Sequence, residues 1–593
     1  MSVIAIRHGA PFLWEQIRIT STKYVLQKEV SAMERRLEEY TQEELIEYIK
    51  TLKKQKKFGL VWEDKPEKVV KECETKLPVL KEVDGKAIEN APGEPTNIII
   101  EGDNYHALSV LNYTHAGKID VIYIDPPYNT GNKDFIYNDC YVDKEDTFRH
   151  SKWLSFMEKR LKLAKNLLAD DGVIFISIDD NEQASLKQLC DSIFGENNVE
   201  TLIWNKIGTG SSSEKMKQVK RARRDHEYII CCYANQSNVV FKKVKMKRKY
   251  KQKLVNKDSD PRGEYKLGSL ARSEALSNKK SKNYYTVTSP TGVEWTRQFL
   301  MPKDEFEKLD KDNRIFWGKN GDKTPAVKIF ASEKAELFLS SLLLDYGSAT
   351  LENKRLCQIF NTDKTPFDNP KPVILIKTVV GLLKNDARVL DFFAGSGTTG
   401  QAVMELNKED GGHRQFILVT NNEANGKADA GAEGIAEKVT YPRIKTVITG
   451  IRPDGTKYSD GIPANLRYFK TDFVEKGKTT DDTREALMTE CCDMIRIRED
   501  AFEHVASAPE YRFYKNDKVF VPIIFDQFAI AETWELVEEL NTEKLPVHCY
   551  NFSYNRHANE EEIPEDTELE WTACSIPETV LEVYRKIFRK KEV

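Results

Sequence analysis

The sequence predicts an α/β protein whose core is one parallel sheet interrupted by a large insertion. Short apolar strands alternate with helices from residue 96 to about residue 240, which is typical of βαβ units. A basic, turn-rich stretch then breaks this alternation for about a hundred residues. The same alternation resumes with RVLDFFAGSGTTG at 388–400 and RQFILVT at 414–420. One interrupted sheet explains this order better than two small sheets.

The region before the core is highly charged and is predicted to be helical. The segment TQEELIEYIKTLKKQKKFG, 41–59, opens with a capping box from Thr41 to Glu44 and carries apolar residues at helical spacing. We therefore assign residues 1–95 to an N-terminal helical region. A lysine-faced surface helix and a docking element both remain open for it.

In the first half of the core, 96–240, the predicted strands end in polar or turn-forming residues. They are TNIIIEGDN, KIDVIYIDPPY, GVIFISIDD and HEYIICCYA. The insertion spans 241–349 and the second half of the core spans 350–450. Residues 451–593 are predicted to form a further mixed α/β domain for dimer or partner contact, with VFVPIIF and VHCYNFSY as strands.

Composition excludes several classes of protein. A chain of 593 residues is too long for one core, so three or four domains are expected. No apolar run approaches the roughly 20 residues of a membrane span, and the N-terminus lacks a secretory pattern. The ten cysteines are scattered without metal spacing. These observations predict a cytoplasmic protein with reduced thiols, no metal site and no membrane contact.

The positive charge is concentrated although the net charge is only −4. Lys242–Lys282 holds 15 Lys and Arg against 4 Asp and Glu, and Lys206–Arg224 holds 7 basic residues against Glu214 alone. A solvated face and contact with a polyanion both explain such a stretch. The candidate residues for contact with a polyanion are Lys242, Lys243, Lys245, Lys247, Arg248, Lys249 and Arg262.

The segment LDFFAGSGTTG, 390–400, combines a strand end, an acid, a glycine turn and a helix start. Gly395 and Gly397 let the backbone pass close to a ligand at the helix N-terminus. A dinucleotide fold is the rival interpretation, but its glycine pattern is incomplete here. Asp391 at the strand's own end suits a cationic or amine-bearing ligand better than a diphosphate.

The segment DPPY, 125–128, follows another predicted strand. Parallel strands place their carboxyl ends along one crevice, so it should face the same cleft as Asp391. Asp125 can accept a hydrogen bond from an amino group, Pro127 holds the carbonyl of Pro126 outward, and Tyr128 offers a stacking face. These groups describe a pocket for a planar exocyclic amine such as an extruded nucleobase. The alternative is a turn whose prolines only end a strand.

DPPY together with FAGSG resembles the signature pair of amino-methyltransferases that use S-adenosylmethionine. Because DPPY comes first, the chain resembles their permuted β class. IIIEGDNYHALSVL, HSKWLSFMEKRL, GVIFISIDDNE, HEYII and FDNPKP add a resemblance to the modification subunits of type III restriction–modification systems. The resemblance implies a Rossmann-like, seven-stranded methyltransferase sheet and a target-recognition domain in the insertion.

The resemblance also implies roles for matching residues. Asp125, Pro126, Pro127 and Tyr128 would hold the target adenine. The ribose is expected to meet an acid after FILVT, where Asn421 and Asn422 precede Glu423, and which of the three serves is left open. Residues that would line S-adenosylmethionine are Asp103, Asp391, Phe393, Gly395, Gly397, Thr398, Lys371, Pro372 and, for the ribose, Glu423.

The function expected is methyl transfer from S-adenosylmethionine to the exocyclic amino nitrogen of a flipped adenine in double-stranded DNA. The expected partners are DNA, a second copy of the chain, and a restriction (helicase–nuclease) subunit, since no GxxxxGK[ST] segment is present. Cytosine-N4 methylation and a catalytically idle DNA-binding specificity subunit are the alternatives, with a nicotinamide oxidoreductase more distant. RNA as substrate, the recognition sequence and the methylated strand stay open.

Overall fold

A computed structural model describes residues 41, 62–132, 134–138, 140–207, 222–247, 254–331, 334–421, 434–553 and 559–588. The chain divides into two compact units. The larger combines Met1–Val239 with Ser341–Val593, and the smaller is Val240–Ser340. Apart from Thr41, the helix predicted at 41–59 lies outside the described residues.

A ten-stranded sheet organises the larger unit. Its strands, in chain order, are β1 (Lys76–Glu82), β2 (Thr96–Glu101), β3 (Ile119–Ile124), β6 (Leu168–Ile178), β7 (Val199–Asn205), β8 (His226–Tyr233), β16 (Leu342–Leu343), β17 (Arg388–Asp391), β18 (Gln415–Thr420) and β19 (Asn465–Glu475). Their order across the sheet is β1-β19-β2-β18-β17-β3-β6-β8-β7-β16. A short hairpin lies apart from this sheet, with strands β4 (Ile136–Tyr137) and β5 (Cys140–Tyr141).

The centre of the sheet is parallel, as the sequence predicts, and joins the two halves of the core. β17 pairs in parallel with both β18 and β3, and Leu390 lies opposite Ile122. The sheet is mostly parallel, and it departs from the parallel arrangement at two places: β8 runs antiparallel to β6 and β7, and β1 runs antiparallel to β19. The backbone N–H of Lys206 donates to the carbonyl of Asp225, which brings the end of β7 to the start of β8 and reverses the chain there.

Helices pack on the sheet along apolar stripes. In α3, Trp153, Leu154, Met157 and Leu161 are buried at helical spacing. The helices of the larger unit are α1 (Lys68–Thr75), α2 (Asn104–Thr114), α3 (Arg149–Leu167), α4 (Gln183–Phe194), α6 (Ala349–Phe360), α7 (Val373–Val380), α8 (Thr398–Asp410), α9 (Tyr441–Thr449), α10 (Thr480–Glu490), α11 (Cys492–Glu499), α12 (Ile530–Leu540) and α13 (Glu578–Phe588).

The sheet extends beyond the predicted core on both sides. β1, Lys76–Glu82, belongs to this sheet although it lies before the predicted boundary at residue 95, and only Lys68–Thr75 is α-helical among residues 62–95. β19, Asn465–Glu475, belongs to it although it lies beyond the predicted boundary at 450. Ten strands therefore replace the seven expected, because flanking segments add β1, β19 and the two-residue β16 to the sheet.

The C-terminal region carries a second sheet that shares the main core. Its strands, in the order β20-β21-β22-β23-β24, are Glu503–Ser507, Tyr511–Lys515, Phe520–Ile524, Val547–Ser553 and Trp571–Pro577. Ile495, Tyr550 and Tyr584 belong to the same buried cluster as Leu108 of α2. The Tyr584 hydroxyl also donates to the Pro78 carbonyl of β1. This region is therefore packed into the larger unit and does not separate as a domain.

The smaller unit, Val240–Ser340, ends before the predicted boundary at 349. Its core contains Val287, Phe299, Phe306 and Trp317. Tyr285 stacks on Phe299 with ring centroids 4.5 Å apart. Its elements are β9 (Val244–Lys247), β10 (Tyr265–Ser269), β11 (Tyr284–Thr288), β12 (Glu294–Gln298), α5 (Lys303–Lys311), β13 (Ile315–Phe316), β14 (Ala326–Phe330) and β15 (Lys334–Leu337).

No helix in the described part of the chain is long and apolar enough to span a membrane. Within the same ranges, no cluster of three or more His, Cys, Asp or Glu side chains could hold a metal ion.

Candidate active site

A cavity of about 1080 Å³ opens at the carboxyl ends of the central strands. It exceeds the roughly 300–1,000 Å³ typical of one small-ligand pocket. Predicted residues from both motifs line it together: Asp103, Asp125, Pro126, Pro127, Lys371, Asp391, Phe393, Gly395 and Thr398. The structure thus brings most of the candidate catalytic and cofactor-binding residues together around one cavity.

Asp125 directly follows β3 and is half-buried, and it forms an ion pair with buried Lys371. Lys371 Nζ lies 2.8 Å from both carboxylate oxygens of Asp125. Burial raises the pKa of Asp125 above its ordinary value, and the ammonium of Lys371 opposes that rise. Lys371, expected to line the cofactor, is therefore bonded to the acid expected to hold the base.

Tyr128 directs its hydroxyl toward two carboxylates. The hydroxyl oxygen lies 2.9 Å from Asp125 Oδ1 and 3.0 Å from Glu227 Oε2. Lys206 Nζ donates to Glu227 Oε1 at 3.2 Å. Burial raises the pKa of Glu227, but Lys371 and Lys206 outweigh it and hold that pKa below its ordinary value. Among the described residues, the cavity lining includes the other three DPPY residues but not Tyr128.

Hydrogen bonds to α3 and to the start of α4 fix the backbone of the DPPY loop. Trp153 Nε1 donates to the Pro127 carbonyl at 2.7 Å. Fully buried Asn129, in the left-handed region with φ 56°, donates from Nδ2 to Glu182 Oε1 at 2.6 Å. No protein donor within the described ranges bonds to the Pro126 carbonyl, so its oxygen stays available in the cavity.

Asp391 ends β17 and starts the glycine turn. Its Oδ1 accepts from the backbone N–H of Phe393 at 3.0 Å, and its Oδ2 accepts from Thr399 Oγ1 at 2.5 Å. Burial raises the pKa of Asp391 to about 7, although both hydrogen bonds oppose that rise. The carboxyl therefore titrates in the neutral range.

The glycines of the turn are required by geometry. Gly395 and Gly397 have φ of 47° and 75°, in the left-handed region that other residues avoid. A Cβ on Gly395 would lie 3.0 Å from the Phe367 ring. Gly397 is not among the cavity-lining residues, so its role is to turn the chain into α8.

Buried Arg443 of α9 stabilises this turn through hydrogen bonds to two of its side chains. Its Nη1 donates to Ser396 Oγ at 3.0 Å and to Thr398 Oγ1 at 2.8 Å. Its Nη2 pairs with Glu352 of α6 at 2.6 Å. A buried arginine held by a carboxylate fixes the turn's position without ligand contact.

Asp103 follows β2 and caps α2, accepting from the backbone N–H of Tyr105 at 2.7 Å. Buried Arg160 lies beside it, with Nη2 3.5 Å from Asp103 Oδ1 and 2.7 Å from Glu67 Oε1. Part of the Asp103 carboxylate is therefore used inside the protein.

The remaining predicted residues lie elsewhere. Pro372 caps α7 and is not among the described lining residues. Asn421 lines the cavity, whereas Glu423 lies outside the described residues. Lys242 and Lys243 are exposed, Lys245 and Lys247 lie on β9, and Arg248 and Lys249 lie outside the described residues.

Arg262 is committed to contacts inside the smaller unit. Its guanidinium forms two 2.9 Å bonds with Asp260 and donates to the Asn313 carbonyl at 3.0 Å. It also lies 4.6 Å from the Phe330 ring centroid. These contacts describe a structural arginine, in contrast to its predicted role in DNA binding.

Sequence reasoning missed Glu227, Trp153 and Arg443. Glu227 carries a visible signal, since an acid in the strand HEYIICCYA is costly to bury without a partner. Trp153 and Arg443 lie on helices and read there as ordinary core and surface residues.

The fold and the site together define a class of α/β protein. In this class an aspartate followed by a glycine turn and an Asp-Pro-Pro-Tyr loop lie at the carboxyl ends of two neighbouring parallel strands. The family described as DNA methylase (N6_N4_Mtase) matches residues 119–426, just over half of the chain. The chain belongs to this DNA methylase family.

Individual relatives extend the comparison. The StyLTI Mod subunit of a type III restriction-modification enzyme from Salmonella typhimurium is 35% identical over 384 residues, covering 60% of this chain and 57% of the relative. The EcoP15I Mod subunit from Escherichia coli is 29% identical over 466 residues, covering 67% of this chain and 71% of the relative. The crystal structure of the M1.HpyAVI-SAM complex is 13% identical, covering 56% of this chain and 96% of that chain, with a TM-score of 0.26.

Proposed function

We propose that this protein transfers a methyl group from S-adenosylmethionine to the exocyclic amino nitrogen of an adenine flipped out of double-stranded DNA. The observation that carries the proposal is the meeting of Asp125–Pro127 and Asp391–Gly395 at one cavity. Membership in the DNA methylase family supports it. Similarity to type III Mod subunits supports adenine over cytosine, although the chain spans only 57% of the StyLTI subunit.

The cavity residues fit S-adenosylmethionine. Asp391 offers a carboxylate to an amino group, and Gly395 keeps the turn open where a Cβ would meet Phe367. Phe393 and Asp103 supply an apolar face and a second acid. When bound, the cofactor supplies a methyl group already activated on its sulfonium.

The task left to the protein is to position a weak nucleophile. Adenine's exocyclic nitrogen delocalises its lone pair into the ring. Asp125 and the Pro126 carbonyl would accept its two N–H bonds and so orient the nitrogen and localise that pair. Trp153 and Asn129 keep these acceptors in place through the loop backbone. Orientation of the reacting groups and fixed electrostatic contacts supply much of the rate enhancement in such reactions.

We further propose that the protein acts as the modification and specificity subunit of a type III-like system. The smaller unit, Val240–Ser340, would read the DNA sequence, because it concentrates the lysine-rich segment. A restriction subunit would be one partner, as the names of the Mod relatives support. A second copy of this chain would be another. We place the activity in the cytoplasm, where DNA and S-adenosylmethionine meet.

The test is methyl transfer from tritiated S-adenosylmethionine to duplex DNA, followed by mass spectrometry of the nucleosides. N6-methyladenine is the expected product, whereas N4-methylcytosine would support the cytosine alternative. Binding of S-adenosylmethionine without transfer to any DNA would support an idle specificity subunit. Absence of binding in isothermal titration would overturn the proposal.

Partners need separate measurements. Light scattering after size exclusion should give twice the 68.2 kDa chain mass if the protein is a homodimer. Single-molecule sequencing of DNA from cells that express the protein would read the recognition sequence and the methylated strand together.

A further inference from the structure

We propose that Lys371 reads the target base by donating a hydrogen bond to the ring nitrogen beside its exocyclic amine, which is N1 of adenine. The inference rests on the proposed function and names what its pocket recognises. It moves Lys371 from the cofactor side of the cleft, where the sequence resemblance places it, to the base side.

The position of the ammonium carries the argument. Lys371 Nζ is 2.8 Å from both oxygens of Asp125 and 5.0 Å from the Tyr128 ring centroid. Asp125 is also the acceptor proposed for the base's amine. A group bonded to this carboxylate therefore lies within a few ångströms of Nζ, so Lys371 borders the amine-bearing edge of the base.

The ammonium has a donor to spare. Of its three N–H bonds, two are directed to Asp125. Glu227 Oε2 is 3.6 Å away, which is longer than a hydrogen bond. Within the described ranges, all hydrogen bonds of Lys371 go to Asp125. The third N–H has only this long contact with Glu227 and can therefore turn to a ligand in the cavity that Lys371 lines.

Lys371 is held as a cation that can only donate. Burial lowers its pKa, but Asp125 and Glu227 outweigh that effect and raise the pKa above its ordinary value. The residue is 9% exposed, so it is confined to this position.

A carboxylate beside an ammonium selects a particular base edge. Adenine presents an amine next to the acceptor N1, and cytosine an amine next to the acceptor N3. On the Watson–Crick edge, guanine O6 lies next to N1–H and thymine O4 lies next to N3–H, which would set like groups against Asp125 and Lys371. A site that leaves buried polar groups unpaired rejects such a ligand strongly.

Glu227 would act as a positioning residue for this ammonium. If Asp125 turns an oxygen toward the amine, Glu227 remains as a counterion for Lys371. Lys206 and the Tyr128 hydroxyl fix the Glu227 carboxylate at 3.2 and 3.0 Å. The Lys371 ammonium therefore keeps a carboxylate partner while an oxygen of Asp125 changes its hydrogen bond from Lys371 to the amine of the base.

The test uses duplexes with adenine, 1-deazaadenine or 7-deazaadenine at the methylated position. Binding affinity and single-turnover rate are measured for the wild type and Lys371→Met, which keeps length without the donor. We expect the wild type to lose roughly 10- to 100-fold on 1-deazaadenine relative to 7-deazaadenine, the scale of a hydrogen bond to a charged group. Lys371→Met should be weaker on adenine and show little of this difference. The ratio of the values for 1-deazaadenine and 7-deazaadenine is compared between the wild type and Lys371→Met. The altered nucleophilicity of the analogue affects both proteins equally and therefore cancels.

Lys377→Met is the matched control, because Lys377 lies on the neighbouring helix α7, pairs with Glu405 and Glu409, and is not among the described residues that line the cavity. It should keep the wild-type discrimination. Equal wild-type affinity for the two deaza duplexes would overturn the inference, and this comparison holds even if Lys371→Met fails to fold. So would a Lys371→Met variant that keeps the discrimination, or loses only S-adenosylmethionine affinity. If the wild type methylates adenine and 1-deazaadenine alike, the proposed function stands, whereas no transfer to adenine overturns both.

Discussion

Asp125 directly follows one strand and Asp391 ends another, and the two strands are hydrogen-bonded neighbours in the sheet. β3 and β17 pair in parallel, with Val121 opposite Val389. About 265 residues of sequence separate these acids, yet both line one cavity. A base held at one and a cofactor held at the other would meet in the cleft between them.

Asp125→Ala should lower methyl transfer by roughly a hundredfold or more, because it removes an acceptor that orients the nucleophile. S-adenosylmethionine affinity should stay nearly unchanged, since Asp391 and the glycine turn are untouched. Tritium transfer and isothermal titration measure the two quantities on the same preparation. An equal loss of cofactor affinity would place Asp125 in the wrong half of the cleft.

Tyr128→Phe should retain much of the activity, whereas Tyr128→Ala should retain little, because stacking uses the ring. The hydroxyl reaches Asp125 and Glu227, so its removal should cost about 1 kcal/mol of folding free energy, the net value of one hydrogen bond. Steady-state rates and urea unfolding separate these effects. If the Phe variant is as inactive as the Ala variant, the hydroxyl is needed for the reaction and the stacking argument fails.

Trp153→Phe tests whether the loop backbone must be held. The change keeps an aromatic ring but removes the donor to the Pro127 carbonyl. Turnover should fall several-fold, on the scale of about 1 kcal/mol, through a looser Pro126 carbonyl. Trp204→Phe is the matched control, because Trp204 is equally buried and its Nε1 has no hydrogen-bond partner in the described part of the chain. Equal effects of the two changes would reduce Trp153 to a packing residue.

Asp391 predicts a pH dependence. Its carboxyl holds a proton up to about pH 7 in the folded protein, whereas an unfolded aspartic acid loses it near pH 4. The unfolded chain therefore binds fewer protons between these values, and the contribution of Asp391 makes the protein less stable as pH rises through them. From pH 5 to pH 8, the wild type should lose roughly 3 kcal/mol of unfolding free energy relative to Asp391→Asn.

Urea unfolding at both pH values measures this difference, and exposed Asp171→Asn is the control for loss of a carboxylate. S-adenosylmethionine should bind the wild type more tightly at pH 8 than at pH 6, because the carboxylate form attracts its amino group. Parallel stability curves for wild type and Asp391→Asn would contradict the titration near neutrality.

The sequence predicted the parts of the site that local chemistry defines. Asp125 and Gly395 lie in short segments whose residue composition is typical of a ligand-binding loop. Glu227 and Arg443 were missed, because their roles depend on contacts with Lys371 and Glu352 that are distant in sequence. The sequence did not predict the edge strands of the sheet for the same reason. β1 and β19 pair across almost 400 residues, and nothing in either segment marks it as a strand of the main sheet.

The insertion gives the last prediction, which separates phosphate contact from sequence reading. Replacing exposed Lys242 and Lys243 should weaken binding to all DNA and reduce the slope of log affinity against log salt by roughly 0.9 for each phosphate that is no longer neutralised. Arg262→Ala should instead destabilise the smaller unit, since Arg262 is bonded to Asp260 and Asn313. Salt titrations and thermal unfolding distinguish these outcomes, and a folded Arg262→Ala protein with a reduced slope would restore Arg262 as a DNA-binding residue.

Exchanging residues 240–340, the observed unit, for that of a relative should redirect methylation to a new sequence. Base contacts within the exchanged unit would choose the site, whereas Asp125 and Lys371 in the larger unit would still choose adenine. Methylome sequencing of cells that express the chimera reads both properties at once. The control is a chimera exchanged at the predicted bounds 241–349, which also replaces Leu343 of β16 in the main sheet and should be less stable. An unchanged methylated sequence in the folded 240–340 chimera would place recognition in the larger unit instead.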